Sequence, residues 1–242
     1  MYDLNHLAKH LRSASLKKKN ATFIHLHDDD QLISFEEFFQ NAEKIASALI
    51  SAGIRPGDRV AMQVEKSSSA IELYFGTILA GAGFLPLNTA YVAEEIDFFL
   101  RDARPSIFVC DPSKLNNYTK IAESSGVSHI WTLSAEGAGS LIDAKNAESP
   151  GFSGVKRNPD DLAAVLYTSG TTGLSKGAML THSNLQSNAE ALVNCWQFSD
   201  EDILIHALPL YHTHGLFVAT NVSLMAGSSM LLMKKFVADS IC

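Results

Sequence analysis

The chain has 242 residues, 46% of them apolar, and a formal net charge of −7. That is enough apolar material to bury a substantial core, as one large domain or two small ones, and the acidic balance argues against a nucleic-acid surface. The cysteines Cys110, Cys195 and Cys242 stand far apart with no Cys-x-x-Cys spacing, which disfavours a disulfide framework and points to a reducing compartment.

The N-terminus, Met1 to His6, lacks a basic-then-apolar signal pattern. Arg12, Ser13, Ser15 and the lysines fit a transit peptide only loosely, and Asp3 does not. A cytoplasmic location is expected, with the mitochondrial matrix left open. Lys17-Lys18-Lys19 reads as a solvated helix end and turn, soon balanced by Asp28-Asp29-Asp30. Strands are predicted at Thr22–Leu26 and Gln31–Ser34, then a helix over Phe35–Ala52. Ser34 with Glu37 three residues on is a capping-box pattern, and Gly53 with Pro56-Gly57 stops that helix.

Short apolar runs then alternate with segments of 3.6-residue period. Strands are predicted at Arg59–Val64, Gly83–Leu87, Ile107–Val109 and His129–Thr132, with helices at Ser68–Ala80, Ala93–Asp102 and Ser113–Ser124. Gly81-Ala82-Gly83 lacks the third glycine of a dinucleotide fingerprint and reads as a tight helix–strand turn. Cys110 ends an apolar run and reads as a small core residue. Ala135 to Pro159, rich in Gly, Ser, Ala and Pro, reads as a long surface connection. Further strands are predicted at Leu162–Tyr167, Ala178–Thr181, Ile203–Ala207 and Ser229–Leu232, and helices at Ser183–Trp196 and Gly215–Met225. This alternation predicts an α/β protein with a mainly parallel sheet and flanking helices. Leu216 to Met233 is the most apolar stretch, but Asn221, Ser223, Gly227, Ser228 and Ser229 interrupt it. It reads as a buried helix, a turn and a strand, not a membrane span.

The most informative stretch is Tyr167 to Gly177, between two predicted strands. Thr168, Ser169, Thr171 and Thr172 offer hydroxyls, Gly170 and Gly173 permit close backbone approach to an anion, and Lys176 adds a compact cation. The combination suits a polyphosphate, and Thr172 is a candidate contact for Mg²⁺. It is not a Walker A loop, because Ser175 precedes Lys176 and Gly177 follows it. For an arbitrary Gly/Ser/Thr loop a plain surface turn is the better reading; the flanking strands favour the ligand site here.

Other candidates are weaker. His206, His212 and His214 invite a zinc reading, but no Cys, Asp or Glu stands near them in sequence. Asp160-Asp161 reads as a strand start at the surface, and Ser169 lacks the Gly-x-Ser-x-Gly elbow of a hydrolase nucleophile.

Tyr167 to Gly177 resembles the phosphate-binding signature of the adenylate-forming superfamily, which includes acyl-CoA synthetases, adenylation domains and luciferases. Ala178 to Leu185, Ala207 to Leu216, Leu85 to Asn88 and Arg104 to Pro112 resemble further segments of that family, so the likeness runs from about residue 20 to the end. Tyr211 to Ala219, Asn88 to Tyr91 and Glu95 to Leu100 are most similar to malonyl-CoA synthetases. Ser175 stands where many relatives have Pro, and Leu174 where the residue is often polar or basic; neither departure removes a phosphate-binding group.

The resemblance implies the large N-terminal domain of the adenylate-forming fold. It implies ATP-dependent joining of a carboxylic acid to CoA through an acyl-adenylate, with Mg²⁺. The acid would be malonate or methylmalonate; the alternatives are a medium- or long-chain fatty acid, or a non-catalytic nucleotide-binding piece. Thr168 to Lys176 would hold the β- and γ-phosphates, and His212 would border the acyl and nucleotide pocket. Relatives continue with an acidic motif, a ribose-binding aspartate and a small C-terminal domain carrying a catalytic lysine. No segment of residues 1–242 matches these, so the chain reads as the N-terminal part of the domain with no catalytic residue in it, inactive alone. The strand near Ser229–Leu232 is then expected to lose neighbours and leave an apolar face or sheet edge exposed.

Overall fold

The computed structural model describes residues 2–168 and 175–236. Two sheets organise them. The six-stranded sheet runs β6-β5-β3-β4-β7-β8, from β3 (Arg59–Gln63), β4 (Gly83–Pro86), β5 (Ile107–Cys110), β6 (His129–Thr132), β7 (Leu162–Thr168) and β8 (Lys176–Thr181). All its pairings are parallel except β7 with β8, which form an antiparallel edge hairpin. The four-stranded sheet runs β2-β1-β10-β9, from β1 (Thr22–Leu26), β2 (Leu32–Ser34), β9 (Ile203–His206) and β10 (Ser229–Leu232), and is parallel except for β1 with β2. This is the expected mainly parallel α/β architecture.

The near-continuous apolar runs of the central strands follow from burial on both faces. Val60, Met62, Phe84, Ile107 and Val109 enter one apolar cluster with α2 (Phe35–Ser51) and α3 (Ser68–Leu79). Their strand neighbours Ala61, Leu85, Phe108 and Cys110 enter a second cluster with α4 (Ala93–Ala103) and α5 (Leu115–Ser124). Burial pushes the Cys110 thiol up to about 12, so it behaves as an inert core residue. Every residue of α3 from Ser69 to Leu79 is buried. At Gly76 a Cβ would lie 2.8 Å from Ile45 Cγ2 and 2.9 Å from the Ala42 carbonyl oxygen, so glycine sets how closely α3 approaches α2.

Helix boundaries follow local chemistry. Ser34 Oγ accepts from the Glu37 N–H at 3.2 Å, the expected cap of α2. The Glu95 carboxylate accepts from the Val92 N–H at 3.0 Å at the start of α4. Gly81, at φ +76°, makes the tight turn from α3 into β4.

Three features differ from the sequence reading or add to it. First, the N-terminal residues, for which the sequence predicts no element, form α1 (His6–Ser13), which buries Leu7, Ala8 and Leu11 completely. Asn5 caps α1 and donates from Nδ2 to the carbonyls of Ile78 at 2.8 Å and Val155 at 3.1 Å. Arg12, one of the transit-like residues, lies over the Tyr2 and Phe39 rings and pairs with the buried Glu43 at 3.2 Å. Second, the 135–159 connection holds a helix, α6 (Ser140–Asn146), with Leu141 buried; a single apolar turn is too short to show a period. Third, β10 is not itself the exposed edge. It pairs with β1 on one side and β9 on the other, and the exposed edge is β9, where Ile203 and Ile205 face outward.

Candidate nucleotide-binding site

The hairpin of β7 and β8 leaves the core as it approaches the glycine-rich turn. Ala163, Ala164 and Val165 are buried, Thr168 is exposed, and Lys176 to Met179 are exposed on the returning strand. Thr168 and Lys176 are register partners, so a hydroxyl and an ammonium stand at the two facing ends of the stem. Of the other predicted phosphate ligands, Ser169, Gly170, Thr171, Thr172 and Gly173 lie outside the described residues, and with them the Mg²⁺ contact assigned to Thr172. Among the described residues no group of three or more His, Cys, Asp or Glu side chains is arranged to hold a metal.

Tyr167 anchors this stem. Its ring lies 4.6 Å from that of Phe99, and its hydroxyl donates to the Asp102 carboxylate. Burial, and then that carboxylate, raise its pKa well above the ordinary phenol value, so Tyr167 stays a neutral donor. The base of the loop is thereby tied to α4, a link that sequence spacing alone does not reveal.

The returning strand runs straight into α7 (His182–Trp196), capped by Thr181 Oγ1 accepting from the Asn184 N–H at 3.1 Å. His182 is fully buried and its Nδ1 accepts from the Leu7 N–H at 3.3 Å. That fixes the tautomer with the proton on Nε2. Burial lowers its pKa to about 4, and the Arg157 guanidinium adds to this.

The second predicted site segment follows β9. His212 is exposed and its ring lies 4.6 Å from that of Tyr211; His214 is exposed as well. No zinc site forms, because His206 points the other way. It is buried, and its Nε2 bonds the Gly215 carbonyl at 2.7 Å, which makes Nε2 the protonated nitrogen. Burial, with Lys66 nearby, lowers its pKa to about 3. Lys66 Nζ in turn donates to the His206 carbonyl at 2.5 Å. The turn carrying His212 is closed tightly: the Leu216 N–H donates to the His212 carbonyl at 3.0 Å. The predicted helix after it is two pieces, a π-helical turn (His214–Thr220) and α8 (Asn221–Ala226). Wide turns of this kind recur at functional sites. Phe217 packs edge-on to Tyr74 of α3 at 5.5 Å, and Tyr74 donates to Asn221 Oδ1 at 3.1 Å. Thr168 and Lys176 therefore stand on the six-stranded sheet and His212 beside the four-stranded one. The α7 helix bridges them, touching β7, β8 and the π-helical turn.

The two buried histidines set an acid limit. Both have folded pKa values below the unfolded value of about 6.5, so their stabilisation is complete above pH 6.5 and lost as pH falls towards 4 and then 3. At about 1.4 kcal/mol per pH unit, His182 contributes up to about 3 kcal/mol and His206 up to about 5 kcal/mol across that window. Glu72, raised by burial, works in the opposite direction from about pH 4.5 upward and offsets part of the effect in the same range, one group against two. Urea midpoints at pH 7.5 and 5.0 are expected to differ clearly, with the lower value at pH 5.0. A flat profile would contradict neutral, buried His182 and His206.

Comparison with known proteins now decides the family. The model of the AMP-binding enzyme family matches residues 11–241. The chain belongs to that family. Among curated relatives, the oxalate–CoA ligase of Arabidopsis thaliana is 33% identical, over 89% of this chain and 40% of its own length. The mitochondrial malonate–CoA ligase ACSF3 of Xenopus laevis is 30% identical, over 76% of this chain and 32% of its own. Among solved structures, ATP-bound MatB from Rhodopseudomonas palustris is 48% identical with a TM-score of 0.94, covering 98% of this chain and 46% of that one. The chain thus spans less than half the length of the curated relatives it matches. No helix among the described residues is long and apolar enough to cross a membrane.

Proposed function

We propose that this chain forms the phosphate-binding part of an acid–CoA ligase that activates a short dicarboxylic acid, malonate or methylmalonate. The reading assigns Thr168, Ser169, Gly170, Thr171, Thr172, Gly173 and Lys176 to the β- and γ-phosphates of ATP, and His212 to the border of the acyl pocket. Likeness to ATP-bound MatB over nearly the whole chain is the observation that carries it; the malonate–CoA ligase among the relatives supports the choice of acid.

In the proposed reaction a carboxylate oxygen of the acid attacks the α-phosphorus of ATP, and pyrophosphate leaves with its bonding electrons. The CoA thiolate then attacks the acyl carbon and AMP leaves. The chain's own part is alignment and charge stabilisation. The exposed Lys176 ammonium and the Thr168 hydroxyl face each other across the stem and donate to the departing phosphates. Tyr167, held to Asp102 and Phe99, keeps the stem from moving with them. Mg²⁺ would be held at Thr172, where it neutralises phosphate charge.

The test is a chimera in which residues 1–236 replace the matching part of MatB. Comparing kcat/KM for malonate, acetate and palmitate should give malonate the highest value by at least about tenfold, the low end of what pocket contacts discriminate. A preference for palmitate would favour a long-chain acyl-CoA ligase instead.

A further inference from the structure

A cavity of about 400 Å³ lies between α2, α3, the segment Ala135 to Gly137, the C-terminal end of α6 and the strands β1, β2 and β10, away from the phosphate stem. Its floor includes Lys66, the residue before the cap of α3. Half of the charged side chains around it are paired with each other. Glu72 of α3 pairs with Lys145 of α6 at 3.3 Å and accepts from Asn41 of α2 at 2.8 Å. Asp28 pairs with Lys234 at 3.6 Å. Asp29, Glu37 and Glu136 line the exposed rim. Lys66 differs from all of these. It is 7% exposed, and its amine meets the neutral His206 carbonyl at 2.5 Å.

A lysine in that setting is a poor ammonium and a good nucleophile. We propose that Lys66 is a site of covalent acylation, taking the acyl group of a small activated carboxylic acid, a thioester or an acyl phosphate. The lone pair of the neutral Nζ attacks the acyl carbon. The bond from that carbon to sulfur, or to the phosphate oxygen, breaks and its electron pair leaves as thiolate or phosphate. One nitrogen proton is lost to the leaving group. The amide keeps a single N–H, which is all the His206 carbonyl requires, and the acyl group occupies the cavity beside Ser67, Ser68 and Ser69. Its volume accommodates a two- or three-carbon acyl group with room to spare.

Burial lowers the Lys66 pKa to about 7. About half of the amine is then neutral at pH 7, against roughly one part in 2,500 for an ordinary lysine. Lower basicity and restricted access take back part of that advantage. The inference is independent of which acid the ligase activates.

The experiment uses the 242-residue chain at pH 7 with limiting acyl donor, acetyl phosphate in one arm and a short acetyl thioester in the other. Peptide mass mapping reads acetylation at Lys66 and at the exposed Lys9, Lys120 and Lys156. Lys66 is expected to react at least about tenfold faster than the exposed lysines, a margin well inside the gain in neutral amine. Whichever arm shows this identifies the donor class. In 8 M urea (about the concentration that exposes most folds) the advantage should vanish. Lys66→Arg should remove the fast component and leave slow labelling elsewhere. Equal rates at all four lysines without urea overturn the proposal. So does an advantage that persists in urea, because it would then belong to the local sequence and not to the cavity.

Discussion

Gly215→Ala is expected to unfold the turn that carries His212. A Cβ at this position would lie 2.0 Å from the Pro209 carbonyl oxygen and 2.8 Å from its carbon. No side chain is there to swing aside; the obstruction is backbone, closed by the Leu216 N–H on the His212 carbonyl and by His206 on the Gly215 carbonyl. The turn must open, and His206 then loses the acceptor for its buried Nε2–H. Overpacking plus a stranded polar group costs about 3 kcal/mol or more, which lowers Tm by roughly 6–12 °C in a domain of this size. Gly126→Ala is the contrast. It sits at φ +79° with open space around it, so only the strain of about 1 kcal/mol applies. Thermal denaturation of the two variants side by side tests the claim. Equal Tm values would mean that the Pro209–Gly215 contact is not what shapes the turn.

Much of this architecture was legible because period and punctuation agree. The two-face burial of β3, β4 and β5 appears in sequence as short unbroken apolar runs. Ser34 with Glu37 and Gly81 before β4 mark boundaries that the backbone obeys. What sequence concealed were structures too short or too non-local to leave a period. The α6 helix contributes one fully buried apolar residue, Leu141, so its stretch resembles a polar connection. The α1 helix mixes Leu and His within a segment whose lysines and serines draw attention elsewhere; its docking rests on distant contacts, Asn5 with Ile78, Leu7 with His182 and Arg12 with Glu43. The same holds at the sites. Motif spacing placed Thr168 and Lys176 in the loop between two strands, where the structure makes them the facing strand ends, and it singled out the histidines of 206–214. It could not say that His206 turns inward to Lys66, 140 residues earlier, while His212 remains outside. Nor could it tie Tyr167 to Asp102, 65 residues away. Contacts of that separation are fixed by the sheet order, and sheet order is not written in any local stretch.

Lys176→Ala is expected to abolish most nucleotide chemistry while leaving the fold intact. Lys176 is exposed at the first position of β8 and its side chain enters neither apolar cluster, so truncation removes no packing. Tm should move by no more than about 1 °C, in keeping with surface substitutions. Charge on the departing pyrophosphate is another matter. One ammonium about 4 Å from one phosphate charge contributes on the order of 4 kcal/mol before desolvation at an effective dielectric of about 20. Removing a single such donor typically lowers turnover by about 10²–10³. Measured in the chimera of residues 1–236 with the rest of MatB, ATP–pyrophosphate exchange should therefore fall by about that factor. Lys176→Arg should recover part of the rate, because it restores the charge at a different reach and geometry. Thr168→Ala, which removes one neutral hydroxyl on the facing strand, should cost only about tenfold. The order matters as much as the sizes. A loop that merely happens to be polar would tolerate all three changes equally. A loop built around phosphate charge must rank them alanine at 176, then alanine at 168, with arginine at 176 less severe than alanine there. Exchange that is unchanged in Lys176→Ala, in a chimera of unaltered Tm, would remove the phosphate assignment from this stem.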